Sequence, residues 1–447
     1  MSFARVRRSV VFLPLALSLA ILQPAHAGKP VAAPAAPPPT LQAQLVAGSS
    51  GELQSFYAYR ATPLWVHADG TLDPAASELV KLIETADDDG LSPATLDAAG
   101  LAEAVAQAQT SPSPATAART EIMLSRAFAA YVAALRQPVG DTMVYEASTL
   151  RPQQAGVYQT LNEAAKAPSL VEYIRDMRWM HPLYAPLRKA LMAGSAISAS
   201  ERQVAVTNLQ RIRGLPAQRT GRYVLIDSAA ATLWMYDNGQ VVDSMRVVVG
   251  KAATQTPPGY AGYIRYAIVN PYWNVPDNLL RSLIARNVLA QGTPYLKRQG
   301  YEVASSWDDD ATVVDPKTID WRAVQRGDLM IHVRQLPSAI NSMGKVKYEF
   351  PNVYGIYLHD TPHKELLQED VRQLSNGCIR LEDARRLGTW LMGRDVEKTS
   401  DAPEQKVDLP QPVPIYLTYL TAHLEGDRIA VGADPYARDR QALAALD

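Results

Sequence analysis

Between residue 41 and about residue 216, apolar side chains return every three or four positions, the period of a helix with one buried face. Asp73-Pro74 predicts an N-cap followed by proline at the first helical position. Ala76, Leu79, Leu82, Ile83 and Ala86 then share a face, and Gly90 stops the run. Ala115–Leu135 predicts a long alanine-rich helix with Ile122, Leu124, Phe128, Tyr131, Val132 and Leu135 as its bulky positions; Ser169–Met180 and Ser198–Ile212 predict two more. At Arg222 the period changes to that of strands. Tyr223–Ile226 and Ala231–Tyr236 are strands, Asp237-Asn238-Gly239 is a hairpin turn, and Val241–Gly250 returns. Tyr263–Val269 is a further strand, ending at the proline-bounded aromatic corner Asn270–Pro276. Asp277 to about Phe350 is a long insertion with a helix at Asn278–Asn287, a polar loop at Trp307–Asp310 and strand pieces around Leu329–Val333. Inserts of that length in a compact β domain usually form lids or substrate walls. Val413–Thr421 and Arg428–Val431 are the closing strands. The fold class is α+β: a helical N-terminal domain over 41–216, a β-rich domain over 220–425 carrying the inserted subdomain 277–350, and a C-terminal strand and tail over 426–447.

The N-terminus alters this picture only outside the folded body. Arg5, Arg7 and Arg8 precede the apolar run Val10–Leu22, and Ala25-His26-Ala27 is a small-x-small cleavage site, so residues 1–27 read as a secretory signal. The run is too short to span a bilayer comfortably, and no later stretch approaches the length needed. The expectation is an exported, periplasmic protein without a stable membrane span, whose residues 28–40 form an Ala/Pro spacer. Charge is nearly balanced, 44 basic against 45 acidic residues, so nucleic acid is not an expected partner. The seven histidines show no metal-ligand spacing; His359 and His363 are four apart, with Pro362 between them and no completing acid or cysteine. No metal and no cofactor are expected. Phe56, Tyr57, Tyr59 and Trp65 could form a glycan platform, although core packing is the commoner fate of such a cluster.

Candidate chemistry concentrates in Tyr354–Arg380. Cys378 is the only cysteine, so it has no internal disulfide partner and is either a small buried hydrophobe or a working thiol. Ser375-Asn376-Gly377 is a turn signal before it, and Leu381–Ala384 reads as a helix start. That would set the thiol near the positive end of a macrodipole, which favours thiolate. Unaided, a cysteine is only about 3% thiolate at neutral pH. His359 closes the run Ile356-Tyr357-Leu358 and can converge on Cys378 across neighbouring sheet segments, to take its proton and return it to a leaving amine. Asp360, by its carboxylate or its backbone carbonyl, could orient the imidazole. The backbone N–H groups of Gly377 and Cys378 could hold an oxyanion. The constellation describes acyl transfer through a thioester.

These residues resemble the L,D-transpeptidases of bacterial peptidoglycan, in their larger, scaffold-bearing (YcbB-like) branch. The family signature is a histidine, a loop, then Ser-x-Gly-Cys, an apolar residue and Arg; here it reads His359, Asp360–Leu374, then Ser375-Asn376-Gly377-Cys378-Ile379-Arg380. Arg246–Gly250, Asn270–Pro276, Arg334–Gly344 and Tyr354–Pro362 are similar to the same branch, and Phe56–Trp65 and Asp89–Pro93 resemble its scaffold. The resemblance implies Cys378 as nucleophile, His359 as acid–base residue, and Tyr357 near the oxyanion pocket. It also implies Ser375, Asn376 and Arg380 at the substrate, with 277–350 as a cap over the peptide groove walled by Trp273. It further implies peptidoglycan stem peptides as partners, with other cell-wall enzymes possible. In the implied reaction, a donor tetrapeptide loses D-alanine to a thioester, which an acceptor amine resolves into a three-to-three cross-link. With water or a D-amino acid as acceptor, the same thiol makes a carboxypeptidase, hydrolase or exchange enzyme; a silent wall-binding protein is the third reading. Two departures stand out. Position 376 is Asn where many members carry His, and Pro186 to Asn208 leaves no room for the peptidoglycan-binding module that many relatives insert.

Overall fold

The computed structural model describes residues 40–60, 62–139, 143–194, 197–217, 220–308, 311–398 and 400–444. The signal and spacer expectations for 1–27 and 28–40 lie outside these, except that Thr40 caps the first helix through the Ala43 N–H. Thr40–Asp447 packs as one unit.

The N-terminal half is helical, with ends where local chemistry sets them. Asp73 caps Pro74–Glu84, and Gly90 adopts φ 71° after a 3-10 turn at Ala86–Asp89. Ser113 and Thr116 form a reciprocal capping box at the start of Pro114–Leu135, and Ser198 and Glu201 form another at Ala199–Ile212. The helix expected over Ser169–Met180 stops at Arg175. Met177 turns to φ 45°, and the chain drops Met177, Trp179 and Met180 into the core, so tertiary burial ends that helix early. Phe56, Tyr57 and Trp65 are core residues; only Tyr59 of that cluster is exposed.

The strands are β1 (Val144–Tyr145), β2 (Arg222–Asp227), β3 (Thr232–Asp237), β4 (Gln240–Gly250), β5 (Tyr260–Val269), β6 (Trp273–Asn274), β7 (Tyr301–Ala304), β8 (Val313–Val314), β9 (His332–Gln335) and β10 (Val346–Glu349). They continue as β11 (Leu358–His359), β12 (Gln373–Ser375), β13 (Ile379–Leu381), β14 (Gln405–Thr418), β15 (Ala422–Glu425) and β16 (Arg428–Val431). The β3–β4 turn has Asn238 and Gly239 both at positive φ, the conformation that the Asp-Asn-Gly signal requires. The main sheet runs β5-β10-β11-β13-β4-β3-β2-β14, and β14 pairs back onto β5, closing the path into a ring. Along β2, Val224 and Ile226 point into the core of that ring, whereas Tyr223 and Leu225 join the core of the helical half. The two halves therefore share packed surface.

The segment 277–350 divides. Its middle, joined by β6 from just ahead of it, forms a second sheet, β6-β9-β7-β8, over a core of Leu280, Ile284, Trp321 and Val333, but its last strand, β10, lies in the main sheet between β5 and β11. The alternation of Val346 and Tyr348 inward is a main-sheet pattern that chain order alone assigned to the insert. The cap helix beginning at Asp277 carries a π-helical stretch, Leu280–Ala285. Arg428–Val431 likewise pairs only with β15, a hairpin packed on the helical half.

Candidate active site

Parallel pairing of β11 with β13 places Leu358 beside Ile379 and His359 beside Arg380, so Cys378 falls next to Tyr357. A nineteen-residue separation in the chain becomes a neighbour relation in the sheet. Both strands lead into one cavity of about 780 Å³ between the sheet and the cap. Cys378, His359, Tyr357, Ser375, Asn376 and Arg380 line it from the sheet side. Trp273, Leu279, Leu283, Tyr295 and Tyr301 line it from the cap. Leu283 belongs to the π-helical stretch, whose wider turn re-aims side chains at the groove.

His359 is 2% exposed. Its Nδ1 lies 2.5 Å from the Asp360 carbonyl oxygen, an acceptor, so Nδ1 carries the ring proton and Nε2 is free to receive one. The carbonyl, not the carboxylate, orients the ring; the Asp360 carboxylate instead accepts from Lys345 N–H and Lys364 Nζ. Burial, with the nearby Arg380 charge, pushes the imidazole down to about 3, so it is neutral at physiological pH.

The thiol is held differently from the sequence expectation. The helix Ala384–Met392 begins only after β13, and its N-cap Asp383 serves the Arg386 N–H. A macrodipole acts within about one turn of its end, so it gives Cys378 no help. Burial raises the thiol above its usual range, opposed by the Tyr357 backbone N–H and hydroxyl, which face the sulfur, and more weakly by Arg380. Cys378 nonetheless keeps partial exposure to the cavity. The resting pair is thus neutral thiol and neutral imidazole, without a direct hydrogen bond between them. Catalytic contacts often tighten only around a bound substrate.

The turn carrying Cys378 is braced. Gly377 sits at φ 119°, which only glycine adopts easily, and its N–H donates to Ser375 Oγ at 3.1 Å. This donation occupies one of the two amides expected to face an oxyanion, and leaves the Cys378 N–H as the turn's backbone donor without a protein acceptor among the described residues. Ser375 Oγ donates to the Cys378 carbonyl at 2.6 Å, and Thr256 Oγ1 to the Gly377 carbonyl at 2.7 Å. Tyr436, from beyond the closing strands, donates its hydroxyl to the Gly250 carbonyl at 2.5 Å. Thr256 and Tyr436 were not legible as site residues, because nothing near them in sequence signals the turn they hold. A Cβ on Gly250 would lie 2.1 Å from the Thr254 carbonyl oxygen and 2.6 Å from the Thr256 nitrogen. Gly250→Ala is expected to push the 251–256 loop off the Cys378 turn, costing about 1–3 kcal/mol and slowing acylation at least about tenfold. A melt and a burst assay check both.

Arg380 reaches the cavity with no ion pair among the described residues, and its Nε is buried without a hydrogen-bond partner. A partly buried guanidinium with no ion pair is an arrangement that an anionic ligand would relieve. No described helix is long and apolar enough to cross a membrane, and the described residues hold no cluster of metal-ligating side chains.

Residues 51–191 match the Scaffold domain family, and residues 221–415 match the L,D-transpeptidase catalytic domain family, YkuD. A protein of Haemophilus influenzae named as a putative L,D-transpeptidase is 29% identical over 287 residues, which are 62% of this chain and 57% of that protein. The chain thus spans less than two thirds of that relative's length. Among solved structures, an L,D-transpeptidase from Mycobacterium smegmatis matches at 14% identity with a TM-score of 0.21, over 45% of this chain and 60% of that one. The LD transpeptidase LdtMt1, solved in complex with imipenem, matches at 14% identity and a TM-score of 0.22, over 44% of this chain and 58% of that one. With a match to the Scaffold domain ahead of it, residues 221–415, which bring the cysteine and histidine to one groove, form an L,D-transpeptidase catalytic domain.

Proposed function

We propose that the protein is a periplasmic transpeptidase that joins peptidoglycan stem peptides through a thioester on Cys378. The observation that carries this reading is the shared cavity: nucleophile, base, a free backbone donor and an unpaired arginine face one space roofed by the cap. Cys378 Sγ attacks the carbonyl at the L-centre of the third stem residue, and its proton passes to His359 Nε2. The Cys378 N–H donates to the developing oxyanion. The bond to the terminal D-alanine breaks, and its amine leaves with the proton from Nε2. The side-chain amine of an acceptor stem then attacks the thioester and gives its extra proton to Nε2. Sulfur departs and takes that proton, closing a three-to-three cross-link. Arg380 holds a stem carboxylate in register, as a bidentate donor can.

Purified protein incubated with disaccharide-tetrapeptides should show a thioester adduct, released D-alanine and cross-linked dimer by mass spectrometry. A folded sample giving none of these would remove the reading. Monomer shortened by one residue, without dimer, would point to water as the acceptor. D-amino-acid incorporation would point to exchange.

The pH profile follows from the site. A histidine at its ordinary value near 6.5 would be only about 3% neutral at pH 5, costing roughly thirtyfold in acylation rate. Because burial keeps His359 neutral down to about 3, acylation is expected to stay nearly level from pH 5 to pH 7. Stopped-flow acylation against pH checks this; an acid limb centred near 6.5 that vanishes in His359→Gln would contradict it.

A further inference from the structure

The catalytic cavity has a neighbour. A second cavity, of about 700 Å³, shares the lining residue Tyr354 with the first, so the two spaces meet at that residue. Tyr354 is 48% exposed and packs edge-on against Tyr260 with ring centroids 5.8 Å apart. Its loop is pinned by Asn352, whose Oδ1 accepts from Tyr354 N–H and Ile356 N–H and whose Nδ2 donates to the Phe350 and Ile356 carbonyls. The backbone of that loop is therefore held in place, while the half-exposed Tyr354 ring forms the open edge where the two spaces meet.

Three parts of the chain supply the amide and guanidinium groups of the second cavity, beside Val139, Val144 and Tyr419. The loop after β4 gives Gln255 and Pro257, the helix Ala199–Ile212 gives Gln210, and the C-terminal helix Arg438–Ala444 gives Arg438, Gln441 and Ala442. Arg211 Nη1 joins the two helices by an ion pair to Asp439 at 2.7 Å. Arg438 reaches across to Gln255 Oε1 at 3.3 Å and has no carboxylate partner among the described residues. The lining is thus three primary amides and one unpaired guanidinium around apolar prolines. Amides suit a peptide backbone, and a free guanidinium suits a carboxylate.

The two-step reaction requires such a place. Once D-alanine has left, the donor stem stays bonded to Cys378 and fills its own part of the groove, so an acceptor must approach through space the donor does not occupy. We propose that the cleft beyond Tyr354 is the acceptor subsite, and that the helix Ala199–Ile212 and the C-terminal helix jointly bind the second stem peptide there. This rests on the transpeptidase reading and gives the helix between the Scaffold match and the catalytic domain a direct part in substrate choice.

The test separates the half-reactions in the full chain, using Arg438→Ala to remove the charge and Ala442→Trp to fill the space. Donor acylation, read as D-alanine released in the first turnover, is expected to remain within about twofold of the unaltered protein. Dimer formation at limiting acceptor should fall at least about tenfold in both variants. The deficit of Arg438→Ala should shrink as acceptor concentration rises, as a KM effect does. Preserved acylation also reports that the fold is intact. Unchanged dimer formation in both variants, or acylation and dimer formation falling in parallel, would overturn the acceptor assignment while leaving the thioester reading standing. Absence of acylation in the unaltered protein would instead remove the function itself.

Discussion

Cys378→Ala should abolish thioester formation and D-alanine release, a loss of at least about 10⁴-fold, while leaving the fold intact. The size follows from covalent catalysis: no other described group in the cavity is positioned to accept the acyl chain, so the remaining donors can only bind substrate. The fold should survive because Cys378 sits at the margin of the barrel core, facing the cavity; trimming one sulfur there costs about 1 kcal/mol or less. Cys378→Ser is the sharper version. It keeps size and hydrogen bonding but replaces the thiol by a far less acidic hydroxyl, which an imidazole held down to about 3 is too weak a base to assist well. Intact-mass spectrometry after incubation with donor, and with a carbapenem as an acylating probe, reads both. An adduct in Cys378→Ala would locate the nucleophile elsewhere and dismantle the mechanism.

Asp89→Ala should be the most damaging substitution for stability. Asp89 is 1% exposed and accepts from Arg188 Nε at 2.8 and 2.9 Å, from the Tyr131 hydroxyl at 2.5 Å and from the Tyr184 hydroxyl at 2.8 Å. Arg188 is itself buried, so removing the carboxylate leaves a guanidinium in a low-dielectric core with two orphaned hydroxyls. Breaking a buried pair in this way costs about 3–5 kcal/mol. The double variant Asp89→Leu with Arg188→Met removes both charges together and should recover most of that loss. Urea melts of the single and double variants form the cycle. Equal destabilisation by both would show that the pair is not what holds these helices. Because Tyr223, Leu225 and Tyr416 of the barrel sit in the same core as the helices, the loss should lower one shared transition rather than that of the scaffold alone.

The local pattern carried a good deal of this molecule. Period and punctuation placed the helix Pro114–Leu135, the cap at Asp73 and the β3–β4 hairpin, since each depends on side chains within a turn or two of one another. The pair His359 and Cys378 was also legible, because a lone cysteine after a glycine turn and a histidine at a strand end stand out against a chain poor in both. What misled was also local. Acids following Leu381 signalled a helix, but β13 intervenes between the thiol and that helix, so the electrostatic help inferred for thiolate does not exist.

Residue spacing thus singled out the cysteine and histidine that the fold brings to one groove, and the class of most elements around them. Tertiary structure alone decided that the barrel closes through β5 and β14, that β10 belongs to the sheet rather than the cap, and that Tyr436 steadies the nucleophile's turn from the far end of the chain. It also decided the protonation states of His359 and Cys378. The physical reason is shared. Strand pairing across more than a hundred residues and the dielectric around a titrating atom are set by chain that is remote in sequence, and no local period encodes what will come to lie beside it.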